Sequence, residues 1–119
     1  MVTARTSEEG TVVAFNECIN ARDLDGLIHL MSDDHRFVDA AGHVVVGRDA
    51  CTAAWRDFFA AFPDYRNRFT QVRTTAPGVV EIEGTSECAE PALAGPARWR
   101  ALVRDMQVCE WRVDEPTLS

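Results

Sequence analysis

One carboxylate in this 119-residue chain stands out as a candidate for acid–base chemistry. Asp39 lies near the end of a segment, His35 to Ala40, that predicts a β-strand. Residues two apart on a strand share a face, so we expect Asp39 to point the same way as Phe37, towards an apolar interior. Desolvation there would raise the carboxyl pKa towards the range useful for proton abstraction. The alternative is a structural carboxylate that caps a nearby loop or pairs with an arginine.

A second feature is a set of aromatic side chains that could line a pocket for a flat ligand. Their helical or alternating spacing is equally typical of a plain hydrophobic core. The two interpretations are compatible, because a bent sheet covered by helices tends to leave one end of the interior unfilled. The pocket candidates are Phe15, Phe37, Trp55, Phe59, Trp99 and Trp111. Trp55 shares a helical stripe with Phe58.

Other chemistries have little support. His29, His35 and His43 do not have the spacing of a metal site, and the chain has no Gly-x-Ser-x-Gly motif of a nucleophilic hydrolase. The four cysteines are widely spaced without a C-x-x-C pair, which predicts free thiols rather than zinc or redox centres. We therefore expect no metal and no cofactor.

The charge balance narrows the range of partners. The 12 basic residues are all arginine, and with 19 acidic residues they leave a net charge of −7. The lack of lysine excludes Schiff-base chemistry and a phosphate-binding loop of the Walker type. A pI near 4.8 opposes binding to nucleic acid or to anionic membranes. With no leader-like start and no apolar run of about 18 residues, we expect a cytoplasmic protein.

The first half of the chain has the periodicity of helices. A capping-box pattern at Thr6 predicts a first helix that starts one residue later. Asp23 is expected to cap a short second helix, whose apolar positions extend to Met31. Asp49 is expected to cap a third helix, which Pro63 ends.

The second half alternates like strands. A short hairpin at 35–46 turns at Gly42, and three later segments each have one apolar face. On the last segment, alternation puts Cys109 on the apolar face with Trp111. An acidic, an arginine-rich and a mixed strand are expected side by side, because opposite charges then face each other. The fold class is α+β: one domain over residues 1–119, with a cone-shaped, bent, mostly antiparallel mixed sheet packed on three N-terminal-half helices.

Several segments together resemble the nuclear transport factor 2-like superfamily. Within it the similarity is to SnoaL-like proteins, the group of polyketide cyclases and ketosteroid isomerase relatives. The matching segments are Asn20 to Asp39, Gly42, Gly47 to Asp49, Phe62 to Asp64, and Val103 to Arg112. Enzymes, binding modules and transport factors share this fold, so the resemblance defines the fold more closely than the function.

The resemblance also carries implications for single residues. Asp39 falls at the isomerase's general base. Phe15 falls at the tyrosine of its oxyanion hole and Trp99 at the protonated aspartic acid, although the indole N–H of Trp99 could still orient a ligand oxygen. Losing one oxyanion donor typically costs about 10²–10³ in rate, so steroid isomerisation is not expected. Val113 interrupts the Asp-Arg-Asp set of limonene epoxide hydrolase.

These observations predict a protein that binds a small apolar or cyclic metabolite, with Asp39 as the acid–base group of an isomerase or cyclase. The alternative is a non-catalytic, dimeric ligand-binding or accessory module. In either case the strand faces rich in Glu and Arg could meet in a homodimer through the sheet.

Overall fold

The computed structural model describes residues 6–114, in which three helices pack on one six-stranded sheet. The helices are α1 (Ser7–Ala21), α2 (Leu24–Leu30) and α3 (Arg48–Ala61). The strands are β1 (Met31–Val38), β2 (Val44–Val46), β3 (Arg66–Ala76), β4 (Val79–Glu87), β5 (Gly95–Arg104) and β6 (Gln107–Asp114), with a short 3-10 helix at Pro91–Leu93. The predicted α+β class is confirmed. The predicted domain limits, 1 and 119, lie outside the described residues.

The strand order determines which chain segments meet at one edge of the sheet. The order is β2-β1-β6-β5-β4-β3, and every pairing is antiparallel except the parallel pair β1 and β6. The carboxyl ends of β1, β4 and β6 therefore lie at the same edge as the amino ends of β3 and β5.

Two of the three predicted cap residues are observed at the start of their helix. The Thr6 hydroxyl accepts a hydrogen bond from the Glu9 N–H, and the Asp23 carboxylate accepts one from the Gly26 N–H, so these two caps are confirmed. The prediction that Asp49 caps α3 is wrong. Gly47, with φ of 99°, is the cap residue, and Asp49 lies in the first turn, where its negative charge suits the helix dipole.

Met31 is also placed differently from its prediction. Its N–H still bonds to the Leu27 carbonyl, but its backbone is already extended, with φ of −92° and ψ of 132°. It is therefore the first residue of β1 rather than the last of a helix. Its side chain is nevertheless fully buried, so its apolar position in the pattern reflects the core.

The apolar faces predicted for β4 and β5 are buried against the helices. Val80 and Ile82 on β4 are fully buried, and Trp99 and Ala101 on β5 are at most 1% exposed. On the opposite face the acidic β4 and the arginine-rich β5 are neighbours, as predicted. All four cysteines are free thiols, also as predicted.

A β-bulge changes the prediction for β6. Leu102 pairs with Glu110 but Val103 pairs with Val108, so Cys109 is an extra residue on its strand. The fully buried Val108 takes the inward position that alternation assigned to Cys109, while Trp111 stays inward.

Within residues 6–114, no helix combines the length and apolarity needed to cross a bilayer.

Candidate functional site

A cavity of about 590 Å³ opens at the sheet edge where β1, β4 and β6 end. One wall is the face of α3 that carries Ala54, Trp55 and Phe58, and the other walls are strands β1, β5 and β6. The segment 92–97, which includes the end of the short 3-10 helix, lies along its rim. The cavity is therefore the unfilled wide end of the curved sheet.

Four of the aromatic residues singled out in the sequence line this cavity: Phe37, Trp55, Trp99 and Trp111. The rings support one another, with Phe37 and Trp55 edge to face at 5.7 Å and Trp99 and Trp111 tilted at 6.5 Å between centroids. All three tryptophans of the chain are in this wall. Every indole in the protein therefore borders the cavity.

Phe15 and Phe59, expected in the lining, do not reach the cavity. Phe15 is fully buried, and its ring centroid lies 4.8 Å from that of Trp111. Phe59 packs on Trp55 at 5.5 Å, with the Arg22 guanidinium 5.2 Å from its centroid. These two rings lie behind the wall and hold the lining tryptophans in place.

Asp39 lines the cavity, one residue beyond the end of β1. One carboxylate oxygen accepts hydrogen bonds from the N–H groups of Ala41 and His43, each at 2.9 Å. The other lies 3.1 Å from Nδ1 of His43. Asp39 thus closes the turn that leads into β2.

The expectation of a raised pKa at Asp39 is wrong. Hydrogen bonds from the His43 backbone, and from its ring, hold the pKa of this carboxyl below its ordinary value. The side chain is 39% exposed, and the desolvation that raises its pKa is outweighed by these hydrogen bonds. Asp39 is consequently an ionised carboxylate at neutral pH.

A hydroxyl pair that the sequence reasoning missed also lines the cavity. The Tyr65 hydroxyl lies 3.4 Å from the Ser86 hydroxyl, which donates to Oδ1 of Asn67 at 2.8 Å. Burial raises the pKa of Tyr65, so it is a protonated phenol at neutral pH. The signal available in the sequence was that Tyr65 is the chain's one tyrosine, directly after Phe62, Pro63 and Asp64.

The charges around the cavity have one sign. Among its lining residues, all of which the structure describes, the charged ones are Asp39 and Asp114. Arginines of β5, such as Arg98 and Arg100, alternate with the inward-facing Trp99 and Ala101 and so project from the opposite face of the sheet. The electrostatics of the cavity therefore disfavour an anionic ligand.

His35 is fully buried behind the aromatic wall. Its ring Nδ1 lies 2.6 Å from the Val108 carbonyl oxygen, and burial lowers its pKa. In the described part of the chain, no three His, Cys, Asp or Glu side chains are grouped as metal ligands would be.

The comparisons with known proteins define the class. The family model of the SnoaL-like domain matches residues 12–115, and the chain belongs to this family. The predicted nuclear transport factor 2-like, ketosteroid isomerase-like fold is confirmed. No protein with a curated function matches the chain.

Solved structures share this fold at low sequence identity. A candidate polyketide cyclase from Sinorhizobium meliloti has a TM-score of 0.80 at 13% identity, covering 92% of this chain and 100% of that one. An epoxide hydrolase of the limonene type from Mycobacterium tuberculosis has a TM-score of 0.79 at 15% identity, covering 91% and 81%.

A third similar structure contains a small molecule. It is a hypothetical protein with a ketosteroid isomerase-like fold from Catenulispora acidiphila, in complex with trimethylamine. Its TM-score is 0.77 at 19% identity, covering 88% of this chain and 84% of that one.

Proposed function

We propose that this protein binds a small, largely apolar, cyclic metabolite in the cavity lined by Trp55, Trp99 and Trp111. The observation that carries the proposal is the cavity itself: about 590 Å³, walled by aromatic rings and free of cationic side chains along its described lining. Pockets of this size and apolar character are typical of small-molecule sites. The complex of a structural neighbour with trimethylamine supports the use of this fold for small ligands.

The three lining tryptophans make a direct binding test possible. We expect the bicyclic hydrocarbon tetralin to change the intrinsic fluorescence saturably, with one molecule bound per chain. Binding to the folded state alone would also raise the melting temperature. Fluorescence and melting temperature that do not respond up to the solubility limit of tetralin would reject the cavity as a binding site.

The chemistry we propose for this site is acid–base catalysis by Asp39, of the isomerase or cyclase type. Two observations support it: Asp39 lines the cavity, and its lowered pKa keeps it ionised, so that it can accept a proton at neutral pH. A base of low pKa has a small driving force for proton transfer. Its substrate therefore needs acidic C–H bonds, such as those beside a ketone.

Deuterium exchange tests this base without knowledge of the natural substrate. In heavy water, the wild type should accelerate exchange of the C–H bonds beside the carbonyl of β-tetralone, followed by proton NMR. Asp39→Asn keeps an oxygen that can accept from the Ala41 and His43 N–H groups, so we expect it to fold and bind but to lose the acceleration. Equal exchange rates in the two proteins would reject Asp39 as the base.

A non-catalytic, dimeric binding module is the second candidate, favoured by the outer face of the sheet. There Arg98 of β5 lies 2.9 Å from Glu83 of β4, and Arg68 of β3 lies 2.8 Å from Glu87. A face with both charges in rows can meet a second copy of itself about a two-fold axis. Light scattering tests the homodimer, and a strict monomer at micromolar concentration would reject it.

The proposed site of action is the cytoplasm. Four free thiols are typical of a reducing compartment and support this assignment. Fractionation of the producing cells tests it.

A further inference from the structure

The hydroxyl pair at one side of the cavity has an uneven set of hydrogen bonds. Of the residues that line the cavity, all within the described range, Tyr65 and Ser86 are the ones with hydroxyl groups. Ser86 gives its single proton to Oδ1 of Asn67 at 2.8 Å, so its oxygen can only accept from Tyr65. The Tyr65–Ser86 distance of 3.4 Å is well beyond the usual 2.7–2.8 Å of an O–H···O bond. The Tyr65 proton is therefore weakly held and can turn to a better acceptor.

Hydrogen bonds between α1 and β3 position the surroundings of this pair. Asn67 is 2% exposed, and its backbone N–H donates to the Asn20 side chain at 2.9 Å. The Asn20 amide donates back to the Asn67 carbonyl at 2.9 Å, which fixes the start of β3 to α1. The buried Nδ2 of Asn67 has no hydrogen-bond partner. The buried Oδ1 of Asn16, whose Nδ2 donates to the Asn67 carbonyl at 3.3 Å, also has none.

We infer that Tyr65 is the donor that orients the ligand, and that the ligand carries a neutral acceptor oxygen, such as a ketone, at the Tyr65 side of the cavity. This inference rests on the proposed binding function and specifies its ligand class. A neutral oxygen suits the site better than a carboxylate, because the charged groups of the lining, Asp39 and Asp114, repel an anion.

The strand order shows how such a ligand would lie. Tyr65 directly precedes β3, whereas Asp39 directly follows β1, and strands β6, β5 and β4 lie between them. Neighbouring strands are about 4.8 Å apart, so the two residues are on opposite flanks of the opening. An oxygen bound to Tyr65 leaves the ring system across Trp99 and Trp111, within the cavity that Asp39 also lines.

A matched pair of probes tests the inference. β-Tetralone and tetralin have the same bicyclic skeleton, and only the ketone has an acceptor oxygen. One neutral hydrogen bond corresponds to about a three- to tenfold difference in affinity, so the wild type should prefer β-tetralone by that factor in a fluorescence titration. Tyr65→Phe keeps the ring and removes the O–H, so it should bind both probes with the affinity that the wild type has for tetralin.

Two further variants separate Tyr65 from its neighbours. Trp99→Phe removes the indole N–H, the rival donor, and should retain the preference for the ketone. Ser86→Ala removes the weak acceptor of the Tyr65 proton and should leave the preference intact or larger. In each variant the ratio of the two affinities is the readout, so a general loss of affinity cannot imitate the effect.

The outcomes distinguish this inference from the proposed function. Equal affinities of the wild type for the two probes, or a ketone preference that persists in Tyr65→Phe, would overturn the role of Tyr65 while the cavity remains a binding site. A preference lost only in Trp99→Phe would assign the donor to Trp99 instead. If the wild type binds neither probe, the proposed function and this inference both fail.

Discussion

The Nδ1 atom of His35 lies 2.6 Å from the carbonyl oxygen of Val108, which joins β1 to β6 inside the core. A carbonyl can only accept, so Nδ1 carries the proton and donates it. The other ring nitrogen, Nε2, is buried without a hydrogen-bond partner. His35 is therefore neutral in the folded protein, and a second proton would place an unpaired charge in the core.

This arrangement makes stability depend on pH in a defined range. Burial lowers the pKa of folded His35 below its ordinary 6.5, so the unfolded chain binds the proton more readily. The contribution of His35 is complete above about pH 6.5 and is lost as the pH falls from there towards the lowered folded pKa. Urea unfolding should give a lower free energy at pH 5.5 than at pH 7.5.

Substitutions assign this dependence to His35. His35→Phe should reduce the difference in unfolding free energy between the two pH values. His29 is exposed, so His29→Gln should leave that difference as in the wild type. Carboxyls whose pKa is lowered in the folded protein, such as Glu9 with an ordinary pKa of 4.5, change the unfolding free energy at more acidic pH. An unfolding free energy that is the same at pH 5.5 and 7.5 in the wild type would contradict the prediction.

Filling the cavity should abolish binding without unfolding the protein. Ala97 lines the cavity on the same face of β5 as Trp99, so Ala97→Phe places a ring in the space of the ligand. We expect at least a tenfold loss of tetralin affinity, with an unfolding free energy equal to or above that of the wild type, because the new ring buries apolar surface. Ala60→Phe, at an exposed position of α3, is the control and should bind normally. Undiminished binding by Ala97→Phe would place the ligand elsewhere.

Gly84 should tolerate no side chain. A Cβ at this position would lie 2.0 Å from the Arg68 carbonyl oxygen, on the neighbouring strand β3. Gly84→Ala should therefore lower the free energy of unfolding by about 2–3 kcal/mol through backbone displacement. Gly10→Ala, in α1 with open space around the new methyl group, should instead raise it by up to about 1 kcal/mol. Chemical denaturation of both variants checks the contrast, and equal effects would refute it.

The buried carboxylate of Glu110 should make Arg36 important for stability. Glu110 is 4% exposed, lies on the sheet face opposite Trp111, and pairs with Arg36 and with Arg112 at 3.3 Å. Arg36→Met leaves Glu110 with one partner. Because Arg36 is half exposed, we expect the free energy of unfolding to fall by about 1–2 kcal/mol, which is less than the cost of breaking a fully buried pair.

A matched ion pair on the surface provides the control. Arg48 pairs with Asp33, whose side chain is 90% exposed, so Arg48→Met should have no measurable effect on urea unfolding. A loss as large as that of Arg36→Met would show that burial of Glu110 is not the cause.

The sequence predicted those parts of the fold that depend on a single residue or on a regular repeat of apolar positions. A side chain such as Thr6 or Asp23 caps its own helix, and strict alternation on β4 and β5 identifies the buried face before any partner is known. The bulge at Cys109 interrupts that alternation. An inserted residue leaves no local signal, because the residues on both sides still alternate.

The candidate site was predictable in its aromatic residues but not in its polar ones. Phe37 and the tryptophans belong to periodic segments, whereas Tyr65 lies between α3 and β3, where no period applies. Asp39 was placed by extending the alternation past the strand. In fact β1 ends at Val38, and the Asp39 N–H already bonds to the His43 carbonyl, so the chain is turning there.

The parallel pairing of β1 with β6 sets the order in which this chain can fold. Residues 31 and 108 are neighbours in the sheet although most of the chain separates them. Until residues 107–114 leave the ribosome, β1 has only the three-residue β2 beside it, and His35 lacks its carbonyl partner. Contacts of such long sequence separation are costly in chain entropy and slow to form. The sheet therefore closes after translation of its last strand, and the aromatic cavity forms in the same late step.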